Sequence, residues 1–233
     1  MDSPLNSNST EQMYSSLKAQ EIYTRLLEQF GHTEWRLPLD AMDELISTIL
    51  SQNTNDRNRD VAFNALKNKF STWELVRDAD LQDVINCIRP AGLANQKGAR
   101  IQAVLREITA ERGNLDLSFL KNYSPQDAHV WLTHFKGVGL KTAAIVMQFA
   151  LGIPAFPVDT HIYRVSGRLG IRPEKMNVDQ THSHLAGLFK PETYGPAHLN
   201  LIRLGREICH ARKPECQKCP LTDLCDYYSH LFK

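Results

Sequence analysis

The sequence predicts an all-α protein, and three of its features support that prediction. Apolar residues recur every three to four positions in ten segments, which is the spacing of one helix face. Gly and Pro fall between these segments, and no run alternates apolar and polar residues over the length of a strand. The ten segments are 17–30, 42–50, 61–70, 81–88, 101–108, 128–135, 142–150, 162–169, 181–188 and 198–208.

Composition and charge restrict the class of protein. The chain has 233 residues, 42% of them hydrophobic, and no apolar run approaches the ~20 residues of a membrane span. Residues 1–10 are polar and lack the features of a secretion signal, so we expect a disordered tail. The protein is expected inside the cell, in the cytoplasm or nucleoid of a prokaryote or in the nucleus or an organelle otherwise. A net charge of +1 is a weak argument against nucleic-acid binding, but residues 203–218 hold five Lys or Arg against two acids.

Four of the five cysteines lie within seventeen residues and predict a metal centre. Cys209, Cys216, Cys219 and Cys225 are spaced C-x6-C-x2-C-x5-C, and four thiolates in one short segment bind zinc or an iron–sulfur cluster. The spacing does not match the two CxxC pairs of a zinc ribbon, and a structural role is favoured over a redox role. The odd cysteine count of an intracellular chain argues against disulfides. Cys87 lies in an apolar context and is predicted to be a buried core thiol.

Two glycines, Gly137 and Gly139, predict a tight turn between two helices. One helix is expected to end near Phe135, and the next begins directly after the second glycine. Glycine allows close backbone approach, so the N–H groups of such a turn and the following helix N-terminus form an anion site that suits a phosphate. A simple corner between helices also contains glycine, and the turn alone is therefore weak evidence for DNA binding.

Lys141 is the candidate nucleophile. It follows Gly139 by two residues, in the first turn of the new helix, where the helix dipole disfavours a cation. A neutral lysine amine forms a Schiff base with a sugar aldehyde carbon, whereas the alternative role is contact with a phosphate. Eighteen residues further on, Asp159 opens another helix, either as a plain N-cap or as a carboxylate that takes a proton from the lysine and stabilises an oxocarbenium ion. The two roles are compatible, because one oxygen can cap while the other faces the site.

These motifs resemble the endonuclease III group of helix-hairpin-helix DNA glycosylases. The resemblance rests on residues 135–143 (FKGVGLKTA), on residues 158–161 (VDTH) and on the cysteine pattern with its loop at 209–216 (CHARKPEC). It covers roughly residues 45–228, which is most of the chain. Three motifs in the same order and spacing make the resemblance specific.

The resemblance implies a fold, a cofactor and a site. It implies a 4Fe–4S cluster on the four cysteines, and Lys141 and Asp159 as catalytic residues acting on a flipped nucleotide. It also implies two helical lobes with a DNA-binding cleft between them. One lobe is a six-helix barrel at residues 33–154 that contains the hairpin, and the other, the iron–sulfur cluster lobe, combines residues 11–32 and 155–233. With lysine at position 141, the chain resembles the bifunctional members of the family, which combine glycosylase and AP-lyase activities.

Some positions depart from the family pattern. The family commonly has Leu-Pro before the hairpin glycine, whereas this chain has Phe-Lys, so Lys136 adds a charge at the expected phosphate site. Either Gln52 or Asn53 is expected to fill the gap left by the flipped nucleotide, with their register left open, and Leu93 is a further candidate. The residues expected to contact DNA are Gln52, Asn53, Leu93, Lys136, Gly137, Val138, Gly139, Arg212 and Lys213.

The sequence as a whole predicts a bifunctional DNA glycosylase/AP lyase of base excision repair. Its expected partner is double-stranded DNA that contains oxidised pyrimidines or abasic sites. The damaged pyrimidine is excised, and the strand is cleaved at the abasic site by Schiff-base β-elimination. The protein is expected to be a monomer and to make no contact with a membrane. Residues 73–173, with GLANQK at 92–97 and AFPVD at 155–159, also resemble the plant 5-methylcytosine glycosylases. Excision of 5-methylcytosine or of mismatched thymine or uracil is therefore an alternative. A non-catalytic DNA-binding module and a zinc-stabilised interaction protein are the alternatives of another class.

Overall fold

The computed structural model describes residues 7–33 and 38–231, with side chains from residue 12 onward, and it confirms the all-α prediction. That part of the chain contains twelve α-helices and no strand. The helices are α1 (Ser7–Phe30), α2 (Ala41–Ser51), α3 (Asp56–Lys69), α4 (Trp73–Asp78), α5 (Leu81–Ile88), α6 (Ala94–Arg112), α7 (Pro125–Thr133), α8 (Leu140–Ile145), α9 (Thr160–Arg168), α10 (Val178–Leu188), α11 (Tyr194–Glu207) and α12 (Asp226–Leu231). Short 3-10 turns lie at Arg89–Ala91, Ser118–Asn122, Pro191–Thr193, Cys216–Lys218 and Thr222–Leu224.

The helices divide into two compact units. The continuous unit is Pro38–Ile153 and holds α2 to α8. The split unit joins Met1–Leu37 to Pro154–Lys233 and holds α1 and α9 to α12. The barrel and the cluster lobe implied by the family resemblance remain predictions. None of the described helices is long and apolar enough to cross a membrane.

In the continuous unit, α2 is the most deeply buried helix. Nine of its eleven residues are buried, so other elements surround it on nearly every side. The helix begins at Asp40, whose carboxylate accepts the N–H of Asp43 at 2.8 Å. Its C-terminal end leads directly into Gln52 and Asn53, and a buried helix therefore positions two of the residues that the sequence predicts to meet DNA.

The core of the split unit is formed by α1, α9, α10 and α11. Helix α1 contributes Ile22 and Leu26, which are at most 1% exposed. Helices α9 and α11 approach closely at Gly205, since a Cβ there would lie 2.9 Å from the Cβ of His161. This approach fixes α9, the helix that begins directly after Asp159.

The disordered tail predicted for residues 1–10 is too long. Residues 1–6 lie outside the described part of the chain, but α1 already begins at Ser7. No Pro or Gly interrupts the sequence between Pro4 and Gly31. The helix extends beyond its buried turns because adding a residue to an existing helix is easier than starting a new one.

Two helical stretches lack the apolar period that would predict them. Helix α4 has only six residues, too few for a repeat, and it is held by Trp73, whose indole N–H donates to Asp43 at 2.7 Å. The first turn of α3 is polar and is stabilised by Arg59, which contacts Asp56 at 2.9 Å and Asp60 at 2.8 Å. Local ion pairs of this kind produce no hydrophobic pattern.

Gly205→Ala should destabilise the split unit. The added Cβ would lie 2.9 Å from His161 Cβ and 3.3 Å from Arg164 Nη2, and overpacking of this kind costs about 1–3 kcal/mol. Gly187→Ala is the matched control, since Gly187 is also helical and nothing lies within 4 Å of its Cβ position; alanine there should stabilise by up to about 1 kcal/mol. Urea unfolding followed by circular dichroism measures both, and equal midpoints for the two variants would contradict the packing argument.

Candidate active site and cysteine cluster

The hairpin between α7 and α8 has a geometry that favours glycine at one position. Gly137 has a φ of +94°, and a Cβ there would lie 2.1 Å from Cδ of Arg100. A side chain at this position would strain the backbone and displace the Arg100 side chain. The turn is closed by the N–H of Val138, which donates to the carbonyl of Phe135 at 3.0 Å.

The hairpin residues predicted to contact DNA differ in their accessibility. Lys136 and Gly139 are exposed, and Gly137 is half-buried. Val138 is only 3% exposed, and its N–H is used inside the turn. Its apolar side chain belongs to the core and supports the hairpin. The DNA contact at Val138 remains a prediction.

Lys141 lies in the first turn of α8 and is half-buried. The N-cap of α8 is Gly139, which makes no side-chain cap hydrogen bond. The N-terminus of a helix carries a partial positive charge, which disfavours a cation beside it. Helix α8 continues as a π-helical segment at Val146–Leu151, an irregularity that occurs frequently at functional sites.

Asp159 is the N-cap of α9, which is one of its two predicted roles. Its Oδ1 accepts the N–H of Ile162 at 2.8 Å, and the side chain is half-buried. The cap uses only one carboxylate oxygen. It therefore does not occupy the other oxygen, which the predicted catalytic role needs. Lys141 belongs to the continuous unit and Asp159 to the split unit, and their pairing remains a prediction.

Two histidines outside the predicted motifs hold the segment that precedes Asp159. His182 Nδ1 bonds to the carbonyl of Phe156 at 3.0 Å, and the fully buried His198 Nδ1 bonds to the carbonyl of Pro157 at 2.9 Å. A carbonyl oxygen only accepts, so Nδ1 donates in both rings. The partners are 26 and 41 residues apart in sequence, and no local motif reveals them.

A buried lysine joins the two loops that carry the predicted gap-filling residues. Lys97 is 2% exposed, and its Nζ donates to the carbonyls of Leu50 at 2.8 Å and Ala91 at 2.7 Å. Desolvation lowers its pKa, and the charge of Arg100 lowers that pKa further. Leu50 lies in the last turn of α2 and Ala91 ends a 3-10 turn, so the ammonium caps both helical ends, where the partial charge is negative.

The structure brings Gln52 against the hairpin and leaves the other predicted gap-filling residues exposed. Arg100 Nη1 donates to Gln52 Oε1 at 2.9 Å, and Gln52 Nε2 donates to the carbonyl of Gly137 at 3.2 Å. Asn53 is exposed, with a φ of +53°. Leu93 is 50% exposed, with a φ of +51°.

The four clustered cysteines line one cavity of the split unit. Each is half-buried. Burial raises the pKa of Cys219 to about 11 and also raises that of Cys225, so metal binding to these thiols must release protons. The apolar side chains that line the same cavity are Val165, Leu169, Leu204, Ile208 and Pro214.

This donor set fits an iron–sulfur cluster. The four thiols surround a common cavity. A 4Fe–4S cluster uses four cysteine thiolates spread around a volume.

Arg164 fastens α9 to the start of the cluster segment. Its Nε donates to the carbonyl of Cys209 at 3.1 Å, and its Nη2 donates to the carbonyl of Gly205 at 2.8 Å. Arg212 and Lys213, in the loop after Cys209, are exposed, as a phosphate contact requires.

Cys87 is half-buried, which corrects the prediction of a buried core thiol. Helix α5 buries Val84, Ile85 and Ile88, and residue 87 lies at the edge of that face. Desolvation raises the pKa of Cys87. The thiol is therefore protonated at neutral pH and is a poor nucleophile or metal ligand.

Known proteins match this chain along most of its length. Residues 46–191 match the HhH-GPD superfamily of base excision DNA repair proteins, and residues 209–225 match the iron–sulfur binding domain of endonuclease III. Endonuclease III of Escherichia coli is 35% identical over 90% of this chain and 95% of its own length. The putative DNA glycosylase At3g47830 of Arabidopsis thaliana is 39% identical over 62% of this chain, and this match spans half of that protein.

Two further matches concern the plant proteins and the fold. Protein ROS1C of rice is 30% identical over 69% of this chain but over only 10% of its own length. A trapped endonuclease III–DNA covalent intermediate superposes with a TM-score of 0.81 at 26% identity, covering 94% of this chain and 99% of that one.

The fold and these matches define a glycosylase of base excision repair, with DNA glycosylase and AP-lyase activity. The chain belongs to the endonuclease III family within the HhH-GPD superfamily, as the sequence motifs predict. The predicted 4Fe–4S centre at the four clustered cysteines is likewise confirmed.

Cys216→Ser should remove the cluster and destabilise the split unit, because metal binding contributes folding free energy. Iron and sulfide, each about four per chain in a loaded 4Fe–4S protein, should fall to near zero, and the urea midpoint should decrease. Cys87→Ser is the matched control, since Cys87 is not among the residues that line the cavity. Undiminished iron in Cys216→Ser would refute the ligand assignment.

Proposed function

We propose that this glycosylase excises oxidised or ring-damaged pyrimidines and cleaves abasic sites, with Lys141 as the Schiff-base nucleophile. The observation that carries the proposal is the position of Lys141, half-buried in the first turn of α8, directly behind the glycine hairpin. The positive end of the helix dipole disfavours a cation there, and Schiff-base chemistry needs a neutral amine.

The proposed reaction excises the base and then cuts the strand. Lys141 Nζ attacks C1′, the glycosidic bond breaks, and the base leaves with the bonding electrons and takes up a proton. The C1′–O4′ bond then breaks, the second amine proton goes to O4′, and the opened sugar is held as an imine. Removal of a C2′ proton then expels the 3′ oxygen, which cuts the strand by β-elimination. Asp159 accepts the proton of Lys141 or stabilises the positive charge on the sugar, through the carboxylate oxygen that the helix cap does not use.

Gap filling is assigned in this proposal to Asn53 and Leu93. Both are exposed and have left-handed backbones, with φ of +53° and +51°, so their side chains project from turns. Gln52 is held by Arg100 on one side and by the Gly137 carbonyl on the other. Its insertion would break two hydrogen bonds, in addition to the few kcal/mol that unstacking a base requires.

The substrate class follows from the energy of base flipping. Oxidised and ring-damaged pyrimidines stack and pair poorly, so their extrusion requires less of the few kcal/mol that flipping an intact nucleotide takes. A 5-methylcytosine is normally paired and its base is a poor leaving group, so an enzyme for it must recover more energy from DNA contacts. The resemblance to the plant 5-methylcytosine glycosylases makes that base, or mismatched thymine or uracil, the second candidate.

Lys141→Ala should abolish borohydride trapping of a covalent complex with abasic DNA, because no imine forms without the amine. Lys141→Arg sharpens the test, since it keeps the positive charge but not the nucleophile, and it should bind abasic DNA without being trapped. Lys121→Ala is the control, an exposed lysine in the 3-10 turn Ser118–Asn122, and it should be trapped like the wild type. Trapping that persists in Lys141→Ala would sink the assignment.

Asp159→Asn should slow single-turnover excision by at least about tenfold while leaving abasic-DNA binding nearly unchanged, because the proposed work of Asp159 is in the transition state. An asparagine oxygen can still accept the Ile162 N–H, so the helix cap is retained. Gel-shift affinity and single-turnover rates separate the two effects. A wild-type rate in this variant would leave the helix cap as the only role of Asp159.

The substrate is tested with duplexes that differ only in one base: thymine glycol, dihydrouracil, 5-methylcytosine or mismatched thymine. Both damaged pyrimidines should be excised at least about tenfold faster than the other two. Faster excision of 5-methylcytosine or mismatched thymine would overturn the substrate class and leave the lysine chemistry intact. Trapping on an abasic duplex is run alongside, so a failed lyase and a wrong substrate give different results.

A further inference from the structure

The last residue of α9 is an arginine that contacts the cysteine cavity. Arg168 Nη1 donates to Sγ of Cys209 at 3.2 Å and to the carbonyl of His210 at 2.7 Å. Its Nη2 donates to the carbonyl of Ala211 at 3.0 Å, and the guanidinium lies 4.6 Å from the centroid of the Tyr227 ring. Three hydrogen bonds and a ring contact hold the guanidinium in one orientation, in which its positive charge lies beside the sulfur of Cys209.

We propose that Arg168 raises the reduction potential of the 4Fe–4S cluster through its hydrogen bond to Cys209. A cysteine that binds the cluster is a thiolate, and its sulfur shares the negative charge of the cluster. A charge-assisted N–H···S bond stabilises that charge. One-electron reduction makes the cluster more negative, so a fixed cation beside the sulfur stabilises the reduced state more than the oxidised state.

A second contact places Arg168 beside another cluster ligand. The protonated thiol of Cys225 donates to the carbonyl oxygen of Arg168 at 3.3 Å. As a cluster ligand Cys225 is a thiolate and no longer donates, so this contact shows only that the backbone of Arg168 lies beside a second ligand. Side chain and backbone of this one residue therefore touch two of the four ligand cysteines. Arg168 is a positioning residue in this proposal, because it acts on the cluster through the sulfur of Cys209.

Arg172, four residues further along the chain, is a matched comparison. Its guanidinium lies 3.9 Å from the centroid of the Tyr163 ring and donates to the carbonyls of Pro173 and Met176. Both arginines are half-buried, stack on a tyrosine and hold a turn of backbone. Arg172 is not among the described residues that line the cysteine cavity, so the contact with Cys209 is what distinguishes the two.

The test is voltammetry of the DNA-free holoprotein, with cluster content checked by absorbance and by iron per chain. Arg168→Met and Arg168→Gln should shift the midpoint potential to more negative values, because both lose the charge. Arg168→Lys should lie between these variants and the wild type, since it restores the charge without the guanidinium fork. Arg172→Met should leave the potential unchanged.

The proposal is overturned if a neutral Arg168 variant holds a full cluster at the wild-type potential, or if Arg172→Met shifts the potential as much. If Arg168→Met loses the cluster, Arg168→Gln, which still carries an N–H donor, provides the comparison. Loss of the cluster from all three Arg168 variants would assign this residue to cluster assembly and would also overturn a role in the potential. Because no DNA is present, each result is independent of the lyase proposal.

Discussion

The loops of the continuous unit depend on one buried charge, the ammonium of Lys97. Within the described residues no carboxylate pairs with it, and the carbonyls of Leu50 and Ala91 are its partners. Removing an ammonium from water costs several kcal/mol. That cost is offset because both carbonyls lie at helical ends, where unsatisfied oxygens carry negative partial charge. An apolar side chain at this position would leave both carbonyls without a donor, and two loops would lose their common anchor.

Helix α6 extends this constraint to the hairpin. Arg100, three residues after Lys97, binds Gln52, which in turn binds the carbonyl of Gly137. The end of α2, the start of α6 and the hairpin are therefore linked by Lys97 and Arg100 of α6 together with Gln52. Groups that are ordered before DNA arrives lose less conformational entropy on binding. The glycine at position 137 belongs to the same arrangement, because Arg100 occupies the space that a Cβ would need.

What the sequence could predict was local, and what it could not predict depends on distant contacts. A continuous apolar period predicts most helices, the residue type and position of Asp159 predict an N-cap, and cysteine spacing alone predicts the metal centre. No sequence pattern indicates the role of Lys97, because lysine is rarely buried and the carbonyl of Leu50 is 47 residues away in sequence. The burial of Val138 is likewise not predictable, because a motif gives the order of residues but not their depth below the surface.

Helix α9 explains how a cluster can matter to an enzyme whose proposed chemistry transfers no electron. Asp159 caps its first turn, while Arg164 and Arg168 donate to main-chain carbonyls at Cys209 and in the loop after it. These acceptors keep their positions only while the cysteine segment is folded, and metal binding supplies folding free energy to such a segment. Without the cluster, Arg168 would lose its carbonyl acceptors and Arg164 its bond to Cys209, so α9 would lose its attachment to the cysteine segment while keeping the bond from Arg164 to Gly205 and its packing against α11. A structural role for the cluster follows from these contacts alone. The same attachment also brings the positive guanidinium of Arg168 next to the sulfur of Cys209.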